Sequence, residues 1–239
     1  MAQCTGSASS PGWLLDEMAS AGRENLDVDH VARFDDISDP RAAAEVALLV
    51  ELDLDEYSSV VDLGAGTGQL TLAVATACSR VVAVDVSPAM LERLRSKVAA
   101  SGVANVEVVH AGFLSYQHLG RPADFVYSRW ALHHVPDFWK VLALRRVRSI
   151  LRPRGVLRLS DVVYSFDHSV AEDRLEQWCA TLPESGDHWV RADIEEHVRD
   201  EHSTFAWLLE AMMERSGFRI EDVSYTDDGI FAEYVARAV

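Results

Sequence analysis

Val60-Val61-Asp62-Leu63-Gly64-Ala65-Gly66-Thr67-Gly68 decides how this chain is to be read. Two β-branched residues lead into an acid, and glycines then recur at alternate positions. A short apolar run that ends in glycines reads as a buried strand passing into a tight turn, and Leu70–Cys78 behind it has a helical pattern. Gly64, Gly66 and Gly68 let the backbone turn and approach a ligand with no Cβ in the way. Their spacing is G-x-G-x-G, not the G-x-G-x-x-G that seats a pyrophosphate on a helix N-terminus. Asp62 puts a carboxylate just ahead of the loop, where it repels a dinucleotide phosphate and suits a ligand carrying ammonium and sulfonium charges. The plain alternative is a strand-to-helix turn that holds nothing.

A second apolar strand, Val81–Val84, ends at Asp85, 17 residues past Gly68. An acid there can accept both hydroxyls of a ribose, because strand ends at the topological switch point form the ligand crevice. Its plainer role is a charge near the start of the helix that Ser87-Pro88 opens over Pro88–Ala100. Val106–Val109, Asp124–Tyr127 and Val156–Val162 give three more strands. Strands thus alternate with helices from residue 59 to 163, the signature of a parallel sheet with right-handed crossovers. Continuously apolar runs fit strands covered on both faces.

On either side the rhythm differs. Residues 1–11 read as a disordered lead to a single domain over 12–239. Within it, 12–50 form a helical N-terminal cap: Trp13, Leu14 and Met18 share one face, Val28, Val31 and Phe34 follow at helical spacing, and Asp39-Pro40 opens a further helix. Residues 164–202, rich in His, Asp, Glu and Trp, form an inserted substrate cap. Ser203 caps a helix to Arg215, and Phe218–Tyr225 with Ile230–Val235 forms a closing hairpin across Asp227-Asp228-Gly229.

The segments Val60–Gly68 and Val82-Ala83-Val84-Asp85-Val86-Ser87-Pro88-Ala89-Met90-Leu91 resemble the first two motifs of the class I S-adenosylmethionine-dependent methyltransferases, and the likeness extends over roughly residues 40–239. The resemblance implies an α/β three-layer, Rossmann-like, seven-stranded sheet in order 3-2-1-4-5-7-6 with strand 7 antiparallel. By that likeness Asp62, Gly64, Ala65, Gly66 and Gly68 form the cofactor loop, with Gly64 and Gly66 facing the methionine part. Asp85 faces the ribose, and Val86 and Met90 the adenine. Tyr127-Ser128-Arg129-Trp130-Ala131-Leu132-His133-His134 resembles the segment after strand 4, which brings Ser128, Arg129 and Trp130 beside the methionine moiety. Many relatives carry an acid near the end of strand 3 that reads the adenine amino group. This chain has Gly112-Phe113 there, so backbone atoms and Phe113 packing are expected to hold the adenine.

The net charge of −16 argues against a phosphate-backbone partner. Lys140, Arg145, Arg146, Arg148, Arg152, Arg154 and Arg158 form a local basic stretch, but interleaved apolar residues make it read as an amphipathic helix with a solvated basic face. Cys4, Cys78 and Cys179 show no paired spacing, which fits a reducing compartment and no disulfide scaffold. No leader pattern opens the chain and no apolar run is long enough to span a bilayer, so a cytoplasmic protein without nucleic-acid or membrane partners is expected. The oligomeric state stays open, a homodimer being one option.

Methyl transfer from a sulfonium is an in-line displacement in which positioning supplies much of the rate, so catalytic residues leave a weaker mark than cofactor residues. His133 and His134 are the candidates for a base near the methyl group; one of them can equally pack in a loop. No metal is expected, because no further ligands are spaced to complete a tetrahedral site around them. Trp13, Phe34, His197, Arg199 and His202 are the candidate acceptor-binding residues. His197 and His202 are five apart, so they do not stack on one helical face, and Arg199, Glu201 and His202 are expected to form a polar cluster. The function that follows is methyl transfer from S-adenosylmethionine to an O, N or C atom of a small molecule. The rivals are an S-adenosylmethionine-binding regulatory protein without turnover and an NAD-dependent oxidoreductase, the latter disfavoured by the glycine spacing and Asp62.

Overall fold

The computed structural model describes residues 11–22, 25, 41–180 and 190–239. The lead before residue 11, Phe34 with Val28 and Val31, and the Asp39-Pro40 helix start lie outside them.

Eight strands form one sheet: β1 (Ser59–Leu63), β2 (Arg80–Asp85), β3 (Val106–His110), β4 (Ala123–Arg129), β5 (Leu151–Tyr164), β6 (Thr204–Phe205), β7 (Phe218–Tyr225) and β8 (Phe231–Ala238). The order is β3-β2-β1-β4-β5-β8-β7, and the two-residue β6 pairs with the end of β5. Strands β1 to β5 run parallel, while β8 is antiparallel to both of its neighbours. With β6 set aside this is the expected order, the last strand being the reversed one.

The helices are α1 (Arg41–Glu51), α2 (Gln69–Val74), α3 (Pro88–Ser101), α4 (Asp137–Ile150), α5 (Ala171–Ala180), α6 (Arg191–Asp200) and α7 (Ala206–Arg215). They cover both faces of the sheet, and β1 shows why consecutive residues of a central strand are apolar. Val61 and Leu63 point into one core, with Leu144, Val147 and Met213 from α4 and α7. Val60 points into the other, with Leu49 of α1 and Leu70 and Val74 of α2. Alternate residues serve opposite faces, so a strand buried on both sides is apolar at consecutive positions, with Asp62 near its carboxyl end the exception.

Three local readings change. Residues 12–20 form turns rather than a helix. The Asp16 carboxylate accepts from the backbone of Met18 (3.1 Å) and Ala19 (3.2 Å), offering those N–H groups a partner other than a helical carbonyl. The last helix begins at Ala206, because Thr204 and Phe205 are drawn into the sheet and Ser203 turns its hydroxyl to His197 instead of capping. The basic stretch is also not one solvated face. Lys140 is buried on α4, and Arg158 is buried within β5. Ser87, by contrast, caps α3 as expected, its hydroxyl accepting from Met90.

Arg158 fastens the N-terminal half of the chain to the sheet. Its guanidinium donates to both oxygens of Glu45 on α1 (2.9 and 2.7 Å) and to Glu233 on β8 (2.6 Å). A bidentate pair of this kind is geometrically specific, and removing Glu45 leaves the buried Arg158 with Glu233 as its ion-pair partner. Glu45→Ala is therefore expected to lower the unfolding free energy by about 3 kcal/mol in urea titration; a change under about 0.5 kcal/mol, the surface-site scale, would mean the pair holds nothing.

Candidate functional site

A cavity opens at the carboxyl ends of β1, β2 and β4, bounded by the turn after β1, the start of α3, the segment after β3 and the segment after β4. The turn after β1 is pinned by Gly64 and Ala65, whose N–H groups both donate to the Val84 carbonyl (2.8 and 3.0 Å). Gly64 has φ +76°, and a Cβ there would stand 2.3 Å from the Ala131 Cβ. At Gly66 (φ +53°) a Cβ would meet nothing nearer than the Met90 sulfur at 4.0 Å, so a side chain would enter the cavity. Gly68 serves packing instead: a Cβ would lie 2.1 Å from Leu94 Cδ1 of α3, and Gly68 does not line the cavity.

Two carboxylates stand at its base, Asp62 buried and Asp85 half-buried. Asp85 Oδ2 accepts from Gly66 N and Oδ1 from Ser87 N, both at 2.8 Å, so it ties the glycine turn to the start of α3. Burial raises its carboxyl, with those hydrogen bonds pulling the other way. Asp62 Oδ2 accepts from Thr71 Oγ1 (2.6 Å), and burial pushes Asp62 up to about 6 against that hydrogen bond. Buried acids whose charged forms are disfavoured leave a place for a cationic ligand.

Of the expected cofactor residues, Asp62, Gly64, Ala65, Gly66, Asp85, Val86, Met90, Gly112, Phe113, Arg129 and Trp130 all line this cavity. Ser128 does not; it is buried in β4 with its hydroxyl lacking a hydrogen-bond partner. Trp130 takes a left-handed backbone (φ +52°) that is costly for a bulky residue. Its N–H donates to Ser160 O (2.9 Å), and the Arg129 guanidinium lies 4.3 Å over its ring.

The N-terminal cap reaches the cavity through residues that the sequence did not single out. Leu15, Glu17, Ala21 and Asn25 line it, whereas Trp13 stacks on Trp139 and is 71% exposed. Glu17 lies against Gly112, where an added Cβ would come within 2.4 Å of its Oε1. It accepts from Leu114 N and Ser115 Oγ, both at 3.0 Å, and burial raises its carboxyl. The strand-3 end thus lacks an acid of its own and receives one from far upstream.

The two histidines divide. His134 lines the cavity, with its Nε2 3.2 Å from Asn25 Nδ2. Burial, then the charge on His133, lowers it to about 3, so its ring is neutral. His133 sits behind it, off the cavity wall. Its N–H donates to Asp161 Oδ2 (3.1 Å), its Nδ1 meets Asp161 Oδ1, and its Nε2 lies 3.1 Å from Glu201 Oε2. Burial alone would lower His133, but Asp161 and Glu201 outweigh it and push it up to about 9.

Glu201, just past α6, also touches His197 Nδ1, and His197 Nε2 lies 2.8 Å from Ser203 Oγ. The His202 N–H donates to the His133 carbonyl (2.9 Å), while Lys140 Nζ donates to the His202 carbonyl and to Asp137 (2.9 Å). His197 and Glu201 thus join the histidine pair through a contact made across 68 positions, which spacing along the chain hides. His202 supports the group through its backbone, and Arg199 stays exposed, paired with Asp200. Two signals were available: Asp161 is an acid inside an apolar strand, and Lys140 is one of only two lysines, set in the apolar rhythm of α4.

Residues 60–155 match the family described as a methyltransferase domain. An uncharacterized methyltransferase of Oceanobacillus iheyensis is 26% identical over 49% of this chain and 53% of its own length. The tRNA 5-carboxymethoxyuridine methyltransferase of Escherichia coli is 28% identical over 67% of this chain and 62% of its own. The chain therefore spans between half and two thirds of each of these relatives. A SAM-dependent methyltransferase from Aquifex aeolicus superposes with a TM-score of 0.63 at 18% identity, covering 90% of this chain and all of that one. The chain has the Rossmann-like fold of the class I S-adenosylmethionine-dependent methyltransferases. Among the described residues no helix is long and apolar enough to cross a membrane.

Asp62 gives the site a pH signature. Its folded-state value, about 6, lies above the ordinary 3.8, so the folded state holds a proton that the unfolded chain has released. This group's contribution to ligand-free stability is present below pH 3.8 and lost as pH rises through about 6. Affinity for a cation runs the opposite way and is gained over the upper part of that range. S-adenosylmethionine titrated calorimetrically at about pH 5 and about pH 7.5 is expected to bind more tightly at the higher value. Equal affinities would mean that Asp62 does not face the cationic end.

Proposed function

We propose that this methyltransferase fold transfers a methyl group from S-adenosylmethionine to an O, N or C atom of a small molecule, releasing S-adenosylhomocysteine. The observation that carries the reading is the pair of carboxylates, buried Asp62 and half-buried Asp85, on either side of a glycine turn whose open side is the cavity. S-adenosylmethionine brings an electrophilic methyl group on a sulfonium. Asp62 lies where an amino or sulfonium charge would be balanced. Asp85 has both oxygens fixed by backbone N–H groups at 2.8 Å and offers its remaining lone pairs to a ribose diol. Gly66 leaves the approach open.

Glu17 has the chemistry to read the adenine amino group in this chain. A carboxylate accepts from an amine, and the glycine at 112 clears the space into which Glu17 reaches. Trp130, Asn25 and His134 lie on the same cavity and supply the acceptor side; in-line attack then depends on how well they position the acceptor. His134 is the histidine that an acceptor would touch, and His133 acts through it as a positioning residue.

A small acceptor fits the charge distribution better than RNA does. Lys140 and Arg158 are buried, Arg148 donates to the Val239 carbonyl, and Arg152 pairs with Asp124. These are four of the seven cations that made the basic stretch, and a nucleic-acid face needs them free to neutralise phosphates.

Labelled methyl transfer to a panel of small phenols, amines and carboxylic acids, and in parallel to bulk tRNA, tests the reading; label in tRNA alone would overturn the small-molecule acceptor. Asp85→Ala is expected to weaken S-adenosylmethionine binding by about 1.5–3 kcal/mol, the scale of a hydrogen bond to a charged group. Unchanged calorimetric affinity in a folded variant would remove Asp85 from the site. Glu17→Gln and Gly112→Ala, the second displacing the carboxylate sterically, are both expected to cost about 1.5 kcal/mol or more. Neither should alter the melting temperature of the ligand-free protein as strongly as Glu45→Ala does. If both bind the cofactor as tightly as the parent, Glu17 does not read the adenine.

A further inference from the structure

His133 lies after β4, His134 follows it, and Glu201 arrives from the far end of the insertion. One ligand atom from each lies within 4.8 Å of the others. Among the described residues this is the group of histidine, cysteine and carboxylate side chains that meets that spacing.

The contacts inside the group are not those of a completed hydrogen-bond network. Glu201 Oε2 is in ion-pair contact with His133 Nε2 (3.1 Å) and with His197 Nδ1, but it has no hydrogen-bond partner. His134 Nδ1 is buried with no hydrogen-bond partner. Buried polar atoms are ordinarily hydrogen-bonded, so two such atoms, His134 Nδ1 and Glu201 Oε2, that stand in one group without a hydrogen bond call for an explanation. Atoms aimed at a common point rather than at each other provide one. Two donors bound at about 2.0–2.2 Å to a tetrahedral ion stand about 3.3–3.5 Å apart, close to the 3.1 Å between His133 Nε2 and Glu201 Oε2.

The surroundings match as well. A metal-bound imidazole is normally held by a carboxylate on its other nitrogen, which fixes the tautomer and the ring plane. Asp161 does this to His133: one oxygen meets Nδ1 and the other accepts the His133 N–H. That leaves Nε2 turned toward Glu201. His197 is similarly held at Nε2 by Ser203 (2.8 Å), with Nδ1 turned to the same carboxylate.

We propose that His133, His134 and Glu201 form a binding site for one divalent transition-metal ion, zinc or ferrous iron, with Asp161 as the outer partner of His133 and His197 flanking Glu201. Two imidazoles and one carboxylate are the donor set that both ions accept, and the set leaves at least one coordination position open. His134 also lines the cofactor cavity, so the open position lies on the acceptor side. An ion there acts as a Lewis acid toward a hydroxyl or carbonyl oxygen of the acceptor. The site also ties the insertion to the end of β4, because Glu201 is the ligand that α6 delivers.

The inference does not need methyl transfer to be correct, since metal binding is read without cofactor or acceptor. The full chain, purified without a histidine tag and stripped with chelator, is titrated with Co²⁺ and then with Zn²⁺. The expected result is a saturable visible spectrum at one equivalent, displaced by Zn²⁺, with a rise in melting temperature on Zn²⁺ addition. Glu201→Gln and His134→Ala are expected to abolish the one-equivalent spectrum, and Asp161→Asn to weaken binding about 10- to 100-fold. X-ray absorption of the zinc-loaded wild type is expected to show a mixed shell with two imidazoles, and this readout holds even if a variant fails to fold. No saturable binding by the wild type, binding undiminished in both ligand variants, or a shell without imidazole would each overturn the site.

Discussion

No room exists for a Cβ between the turn that leaves β1 and the turn that leaves β4. Gly64 and Ala131 approach so closely that a methyl group on Gly64 would stand 2.3 Å from the Ala131 Cβ. Both turns lie at the carboxyl edge of adjacent parallel strands, where the chain must reverse over the sheet to enter a crossover helix. Their contact sets the floor of the cavity. It places Gly66 facing open space and brings Trp130, in its strained left-handed conformation, across from Asp62 and Asp85. The backbone N–H groups of Gly64 and Ala65 are consumed by Val84, and that of Gly66 by Asp85, so the turn is rigid before any ligand arrives. Such preorganisation lowers the ordering cost of binding.

The second organising feature is electrostatic and lies one layer further back. His133 is buried between Asp161 of β5 and Glu201 past α6, and Lys140 of α4 holds the backbone of His202 beside it. An inserted segment that packs Leu175 and Trp178 on Ile230 and Phe231 is thereby fastened at the end of the sheet by charge and hydrogen bonds as well. In a low dielectric such contacts are strong and also demanding, since each buried group must find a partner. The same junction carries the candidate metal ligands, so the anchoring of the insertion and the chemistry of the acceptor side depend on the same side chains.

Much of the fold was legible in the sequence because burial leaves a periodic trace. Val60 and Val61 are both hidden, one on each face, and the resulting apolar run marks a central parallel strand without reference to any neighbour. Glycines forced by φ or by close approach, and Ser87 at the start of α3, are equally local. The errors are local readings overruled by distant partners. Arg158 looked like one of several surface cations, but Glu45 and Glu233 come from opposite ends of the chain to bury it. Ser203 looked like a helix cap, yet β5 recruits Thr204 and Phe205 into the sheet and frees the hydroxyl for His197. Residues 12–20 had a helical apolar pattern, which Asp16 breaks by taking two N–H groups for itself.

The sequence by itself determined the alternation of strands and helices, the glycine turn and the two acids that flank it, because each follows from periodicity, from conformations only glycine tolerates, or from a motif confined to a few residues. The strand order was implied by resemblance to a family. Tertiary structure alone decided what surrounds that turn. Glu17 reaches Leu114 and Ser115 across about a hundred positions, and Glu201 reaches His133 across 68. Side chains brought together by sheet order and helix docking bear no fixed spacing along the chain, so no pattern in the sequence could announce them. In the proposed reaction the glycine turn faces the methyl donor, and the residues that would meet the acceptor were assembled only by folding.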